Sequence, residues 1–134
     1  MIVAISTNYS EIIALFESSK ECTWLIRMTN HILNSCGVAF APSPTVINEN
    51  NGGCTAQIQS GYVKSNMTKH ISPKLFHTHE LQNKGEIMVT HVRSCDHHTD
   101  MFTKALSSHT LENCRHGISM WRLREVLGTR EECP

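Results

Sequence analysis

Apolar residues recur at helical spacing through the first quarter of the chain. They are separated by three or four positions, as one face of an α-helix requires. Gly37 follows the last of them and is a common helix terminator. We therefore predict one amphipathic helix over residues 9–35, whose apolar positions are Ile12, Leu15, Phe16, Cys22, Leu25, Ile26, Ile32 and Leu33.

Two short apolar runs further along the chain have the length of strands rather than helices. Residues 44–48 follow a proline-containing loop, and residues 86–93 read EIMVTHVR, which suits a strand that is buried on both faces. Between them the pattern predicts a short helix over Thr55–Ser60, closed by Gly61, and a longer helix over residues 71–83 that stops at Gly85. A further apolar run over residues 2–6 resembles a strand without a partner.

The last third of the chain returns to helical spacing. Asp96 is a candidate N-cap for a helix carrying Met101, Phe102, Ala105 and Leu106. Another helix is predicted over residues 108–126, with a break at Gly117. Alternating strands and helices predict an α/β fold with parallel strand pairing.

Composition narrows the class of protein. The chain has 134 residues, which suits one domain, and its 12 basic residues balance its 12 acidic ones. None of the six cysteines has C-x-x-C spacing, and no window approaches the ~18 apolar residues of a membrane helix. Without a secretory leader either, the sequence predicts an intracellular protein, cytoplasmic or nuclear, that does not associate with membranes.

Three motifs in order resemble the RNase H domain of copia-type retrotransposon Pol polyproteins, especially those of plants. They are STNYSEIIAL with Glu11, PTVINENNGGCTAQ followed by TKHISPK (Thr68–Lys74), and D-x-x-x-D-x-F-T-K (Asp96–Lys104). The resemblance implies a partial RNase H-like domain over residues 1–127 and a tail over residues 128–134. It also implies a truncated fold, since the opening strands of the family's mixed sheet have no counterpart here.

The family's chemistry is hydrolysis of the RNA strand of an RNA–DNA hybrid by two Mg²⁺ or Mn²⁺ ions. Such ions need carboxylates that converge from different elements. The resemblance assigns Glu11 and Asp100 as metal-binding acids and puts Asn50 where the family has an aspartate. The family's first aspartate lies on an opening strand. The resemblance further implies an ancestral polyprotein that also contained reverse transcriptase and integrase.

Because Asn50 stands where the family has an aspartate, the resemblance predicts an enzyme that has lost its activity. Successive strand residues point to opposite faces, so we expect Glu49 to face away from the site and not to replace it. The ancestral activity is that of a hybrid-specific endoribonuclease, whereas this chain is expected to bind little or no metal and to be inactive. Contacts with hybrid phosphates are expected from the basic residues around the TKHI motif, namely Lys64, Lys69, His70 and Lys74.

Two other functions remain open from the sequence. One is a nucleic-acid-binding remnant that uses the same basic face without cleaving. The other is a metal site built from a cluster of potential ligands, although their spacing matches no known zinc pattern. That cluster consists of His91, Cys95, Asp96, His97, His98 and Asp100.

Overall fold

The computed structural model describes residues 7–39, 43–62 and 71–121. These residues form a mixed α/β structure that is mostly helical and contains a two-stranded parallel sheet. The chain divides into two compact units, Met1–His91 and Val92–Pro134, which are described separately. The predicted strand over residues 2–6 lies outside the described residues.

The first unit begins with the long helix that the apolar spacing predicts. Helix α1 spans Thr7–Ser35, and its buried residues are Ile12, Leu15 and Ser19. Their spacing of three and four residues lines one face of the first half of the helix. Gly37, at φ 73°, follows the helix end as predicted.

The next four elements form a parallel crossover. Strand β1 (Thr45–Glu49) is followed by helices α2 (Gly52–Ser60) and α3 (Ser72–Asn83) and by strand β2 (Ile87–His91). The two strands pair in parallel, with Thr45 opposite Ile87 and Glu49 opposite His91. A parallel pair needs a long connection between its strands, and the two helices provide it. These elements confirm the predicted order from residue 44 to residue 91.

The sheet is buried on one face, not on both as the sequence suggested for β2. Ile87 and Val89 are 1% and 2% exposed, whereas Met88 between them is 44% exposed. Asn48 and Thr90 hydrogen-bond on the open face, from Oγ1 to Oδ1 at 3.0 Å. The apolar run in β2 reflects high strand propensity in a sheet that the described helices cover on one side.

The helices and the covered face of the sheet enclose one apolar core. Helix α2 ends at Gly61, whose φ of 64° is left-handed. A Cβ there would lie 2.7 Å from Nε2 of His79, whose Nδ1 lies 2.6 Å from the carbonyl oxygen of Ile58. Glycine therefore both ends α2 and admits the imidazole of α3. The core consists of Ile12, Leu15, Cys54, Ile58, Ile71, Leu75, Leu81, Ile87 and Val89.

The second unit departs from the prediction over residues 96–106. Two 3₁₀ helices, Ser94–Asp96 and His98–Phe102, replace the predicted α-helix. Asp96 lies inside the first of them and does not cap a helix, and Phe102 is 67% exposed. Local side-chain hydrogen bonds compete with a continuous helix here, as described below.

One α-helix follows in the second unit. Helix α4 spans Ser108–Gly117 and is N-capped by Ser107, whose side chain accepts a hydrogen bond from the Thr110 backbone N–H at 3.2 Å. The helix ends at Gly117, as predicted. The remainder of the predicted helix, beyond residue 121, lies outside the described residues.

Candidate functional site

The stretch between β1 and α2 forms a hydrogen-bonded corner. Asn51 is the N-cap of α2, and its Oδ1 accepts from the backbone N–H of Cys54 at 3.1 Å. The backbone N–H of Asn51 in turn donates to Oε1 of Glu49 at 2.8 Å. These bonds satisfy the donors that a helix start leaves free, so the corner has a structural role of its own.

The first turn of α1 packs against this corner. Asn8 donates from Nδ2 to Oε1 of Gln57 on α2 at 2.8 Å. A Cβ on Gly53 would meet Oδ1 of Asn51 at 3.3 Å and Oδ1 of Asn8 at 3.6 Å, which is a close approach. Because Glu11 follows Asn8 by three residues, it lies on the same side of α1 as these contacts.

The charges of two carboxylates converge on a buried thiol. Burial, followed by the negative charges of Glu49 and Glu11, raises the pKa of the Cys54 thiol to about 12. A thiol with this pKa stays protonated at neutral pH, and the Cys54 side chain is fully buried, so it does not provide a nucleophile.

Glu49 lies on the covered side of the sheet. It is 6% exposed and lies on the covered face of the sheet, in alternation with Ile47, which packs against the core. Strand alternation itself holds. The covered face of the sheet is therefore the one that carries residue 49, and the expectation that Glu49 does not replace the acid at position 50 stays a prediction.

Asn50 follows the end of β1 and is half-buried. Its side chain has a neutral amide where the family resemblance calls for a carboxylate. In the same unit the nearby acids are Glu11 and Glu49, and Oε1 of Glu49 already accepts the Asn51 N–H. Within residues 7–39, 43–62 and 71–121, no three His, Cys, Asp or Glu side chains group as a metal site. These donors do not fit a pair of Mg²⁺ ions.

Asp100 belongs to the second unit, where it joins two basic side chains. Its Oδ2 lies 2.7 Å from Nζ of Lys104, and its Oδ1 lies 3.1 Å from Nδ1 of His97. The hydrogen bond from Lys104, followed by that from His97, lowers the pKa of Asp100 against the opposing effect of burial. Both carboxylate oxygens are therefore engaged within the residue's own segment.

The potential zinc ligands around Asp100 are dispersed among other contacts. Asp96 pairs with Arg93 at 2.8 Å, which lowers the pKa of its carboxyl group. The ring of His98 packs directly against Gly117, and its Nδ1 is buried without a hydrogen-bond partner among the described residues. His91 lies in the first unit, beside Gly52. The described cluster thus consists of ion pairs and packing contacts and has no shared metal geometry.

Of the four basic residues predicted to contact nucleic acid, Lys74 is described. Its Nζ lies 3.6 Å from Oε1 of Glu17 and 4.1 Å from the centroid of the Phe16 ring, so the side chain joins α3 to α1. The other three, Lys64, Lys69 and His70, lie outside the described residues.

Sequence reasoning missed the burial of Glu49 and the aromatic surroundings of Lys74. A signal for the second was present, because Phe16, Lys20, Trp24 and Arg27 recur at intervals of three or four residues along α1. The apolar pattern alone assigned Phe16 to the core and left Trp24 without a role.

Comparisons of the chain with models of known protein families, with curated proteins and with solved structures give no match. The resemblance to copia-type RNase H domains therefore stays a prediction based on the three sequence motifs. No helix in the described part of the chain has the length and apolar content needed to cross a membrane.

Proposed function

We propose that this chain is part of an RNase H-like domain of the copia type, descended from an RNA–DNA hybrid endoribonuclease, and that it does not hydrolyse RNA. The observation that carries the proposal is the packing of the first turn of α1, near Glu11, against the start of α2, which follows Asn50 and Asn51. The resemblance implies a helix acid near the position of Asn50, and the parallel β1–β2 crossover is consistent with that fold.

Loss of activity follows from the charges at this corner. Two-metal hydrolysis needs enough negative charge to hold two divalent ions a few ångströms apart. The Asn50 side chain carries no negative charge, one carboxylate oxygen of Glu49 accepts the Asn51 N–H, and the Cys54 thiol is protonated. In this proposal an RNA–DNA hybrid and a polyprotein with reverse transcriptase and integrase belong to the ancestral enzyme.

A cleavage assay tests the proposal. The purified chain is incubated with Mg²⁺ or Mn²⁺ and an RNA–DNA hybrid labelled on its RNA strand, beside an active RNase H as positive control. We expect no product above the protein-free background. Asn50→Asp should remain inactive as well, because one restored acid beside Glu11 still leaves too few free carboxylates for two ions. Cleavage by the unaltered chain that disappears in Glu11→Gln would refute the loss of activity.

A second candidate function is nucleic-acid binding without cleavage. Lys74 supports it, since this member of the predicted contact set lies at the start of α3 beside an aromatic ring on α1. Binding led by phosphate contacts weakens steeply with added salt. Fluorescence anisotropy of a labelled hybrid measures this, and an affinity that does not change with salt would contradict the second candidate.

A further inference from the structure

Helices α1 and α3 enclose a groove on the surface of the first unit, here called the α1–α3 groove. It has a cavity volume of about 280 Å³. This is near the lower end of the range of ~300–1,000 Å³ typical of ligand pockets, so it suits a single planar group better than a large ligand. The groove is lined by Lys20, Thr23, Trp24, Arg27, His77 and Leu81.

The lining is basic and contains no carboxylate. Lys20 and Arg27 contribute two cations, and His77 adds an imidazole. The chain as a whole has 12 basic and 12 acidic residues, so this local excess departs from its average. A basic concave surface attracts anionic groups.

An exposed aromatic ring lies among these cations. Trp24 is 56% exposed, although it lies on a helix that packs against the core. The exposed part of an indole is suited to stacking against another planar ring. Because Lys20 and Arg27 are four residues before and three residues after Trp24, all three side chains lie along one face of α1.

The basic and aromatic character continues from the groove towards the start of α1. The Phe16 ring has Nζ of Lys20 at 4.7 Å and Nζ of Lys74 at 4.1 Å from its centroid, and its edge contacts His77 at 5.3 Å. Glu17 pairs with both lysines, so part of their charge is neutralised. Arg27 and Trp24 are therefore the side chains on which recognition of an anionic, ring-containing ligand would chiefly depend.

We propose that the α1–α3 groove binds single-stranded nucleic acid, with a base stacked on Trp24 and the adjoining phosphates at Arg27 and Lys20. Aromatic rings interspersed with cations are the usual means of binding single strands without sequence preference. A single strand is favoured over a duplex because stacking on one exposed indole requires an unpaired base. This site gives a location to the second candidate function above and does not depend on any cleavage.

Tryptophan fluorescence tests the site directly, because the chain has two tryptophans. Trp121→Phe leaves Trp24 as the single reporter, and an oligothymidine of about 12 nucleotides spans one site of the usual size. We expect its addition to quench the remaining fluorescence, and added salt to reverse the quenching. Unchanged fluorescence in the presence of saturating oligonucleotide would overturn the proposal.

Matched variants separate stacking from a general loss of affinity. Trp24→Ala should weaken oligonucleotide binding about 5- to 150-fold, whereas Trp121→Ala should leave it unchanged. The two tryptophans are almost equally exposed, at 56% and 58%, so the pair controls for surface tryptophan as such. Trp24→Phe should retain most of the affinity, and circular dichroism establishes that each variant is folded. Equal affinities for Trp24→Ala and Trp121→Ala would contradict the site.

Charge is tested with a second matched pair and a competitor. Arg27→Gln should lower the slope of log affinity against log salt by about 0.7, the value for one phosphate contact on a single strand. Arg93→Gln, in the second unit, should leave that slope unchanged. Polyglutamate is the competitor, added at the same concentration of negative charge as the oligonucleotide. If it displaces the oligonucleotide equally well from the unaltered chain and from Trp24→Ala, the groove binds acidic peptides and the proposal fails. Failure here leaves the cleavage result untouched, so the two proposals can be judged separately.

Discussion

The two units of this chain are stabilised in different ways. In the described part of the first unit, nine apolar side chains form a core with between 0% and 6% of their surface exposed. In the described part of the second unit, Cys114 is the one buried apolar side chain. The first unit therefore derives its stability mainly from removing apolar surface from water.

Polar contacts between near neighbours in sequence dominate the second unit. Asp100 pairs with His97 and Lys104, and two arginine–carboxylate pairs lie on either side of it along the chain. Partly exposed pairs of this kind are screened by salt and depend on protonation, unlike apolar burial. Folding of the first unit thus depends on packing, whereas the second responds to pH and ionic strength. The two arginine pairs are Arg93–Asp96 and Arg115–Glu112.

The largest expected difference between the units concerns leucine truncation. Leu75 on α3 is 0% exposed and Leu111 on α4 is 42% exposed. Leu75→Ala should lower the free energy of unfolding by about 2–5 kcal/mol, because it leaves a cavity in a packed core. Leu111→Ala removes the same atoms from a partly solvated position and should change it by no more than about 0.5 kcal/mol.

Urea unfolding followed by far-ultraviolet circular dichroism measures both variants. Phe76→Ala is a further control, since Phe76 adjoins Leu75 on α3 but is 50% exposed. Equal losses of stability for Leu75→Ala and Leu111→Ala would show that the comparison of the two units is wrong.

Much of the first unit could be predicted from sequence because its apolar residues recur at regular spacing and its helices are followed by glycines. The helical spacing from Ile12 onward is long enough to be unambiguous, and glycines follow α1, α2 and α3. The short strand β1 was predicted to within one residue at each end. Burial of β2 on both faces was predicted wrongly, because an apolar run reports strand propensity and does not report how many faces are covered.

The wrong prediction in the second unit and the incomplete one at the corner have a common physical origin. Residues 96–106 have helical apolar spacing, yet Asp96 bonds to Arg93 and Asp100 to His97, and the backbone forms short 3₁₀ turns. At the corner, alternation correctly separates residues 49 and 50 but cannot say which face α1 covers. Side-chain partners and helix placement are decided by tertiary contacts, which single-sequence patterns do not contain.

Helix N-caps provide a smaller test of the difference between the buried first unit and the more exposed second unit. The Asn51 side chain accepts from the N–H of Cys54, a residue that is 0% exposed, whereas the Ser107 side chain accepts from Thr110 at an exposed position. Asn51→Ala should cost about 1–2 kcal/mol, because it leaves a donor in a buried corner unsatisfied. Ser107→Ala should cost about 0.5–1 kcal/mol, since water can replace the lost acceptor.

Thermal unfolding of the two cap variants measures this difference. A Gly replacement at each position serves as control, because glycine is itself a favourable N-cap residue. If Ser107→Ala proves the more destabilising of the two, the order of cap strengths is contradicted.

The smallest expected effect concerns the ion pair between Asp100 and Lys104 in the second unit. The hydrogen bond from Lys104 is the main cause of the lowered pKa of Asp100, so Lys104→Gln should move that pKa back towards its ordinary value of 3.8. A carboxyl group whose pKa is lowered by folding adds stability above its unfolded pKa, and that stability is lost as pH falls through the folded pKa. The variant should therefore unfold at a higher pH on acid titration, while losing about 0.5 kcal/mol or less at neutral pH.

Carbon-detected NMR of the aspartate carboxyl groups follows Asp100 directly. Lys84→Gln is the matched control, since Lys84 makes the same i, i+4 pair with Glu80 on α3 in the first unit. It should leave the titration of Asp100 unchanged and raise the pKa of Glu80, which the Lys84 hydrogen bond lowers. An Asp100 titration that is identical in Lys104→Gln and the unaltered chain would mean that His97 alone maintains the shift. Ionic control of the second unit would then rest on the contact between His97 and Asp100.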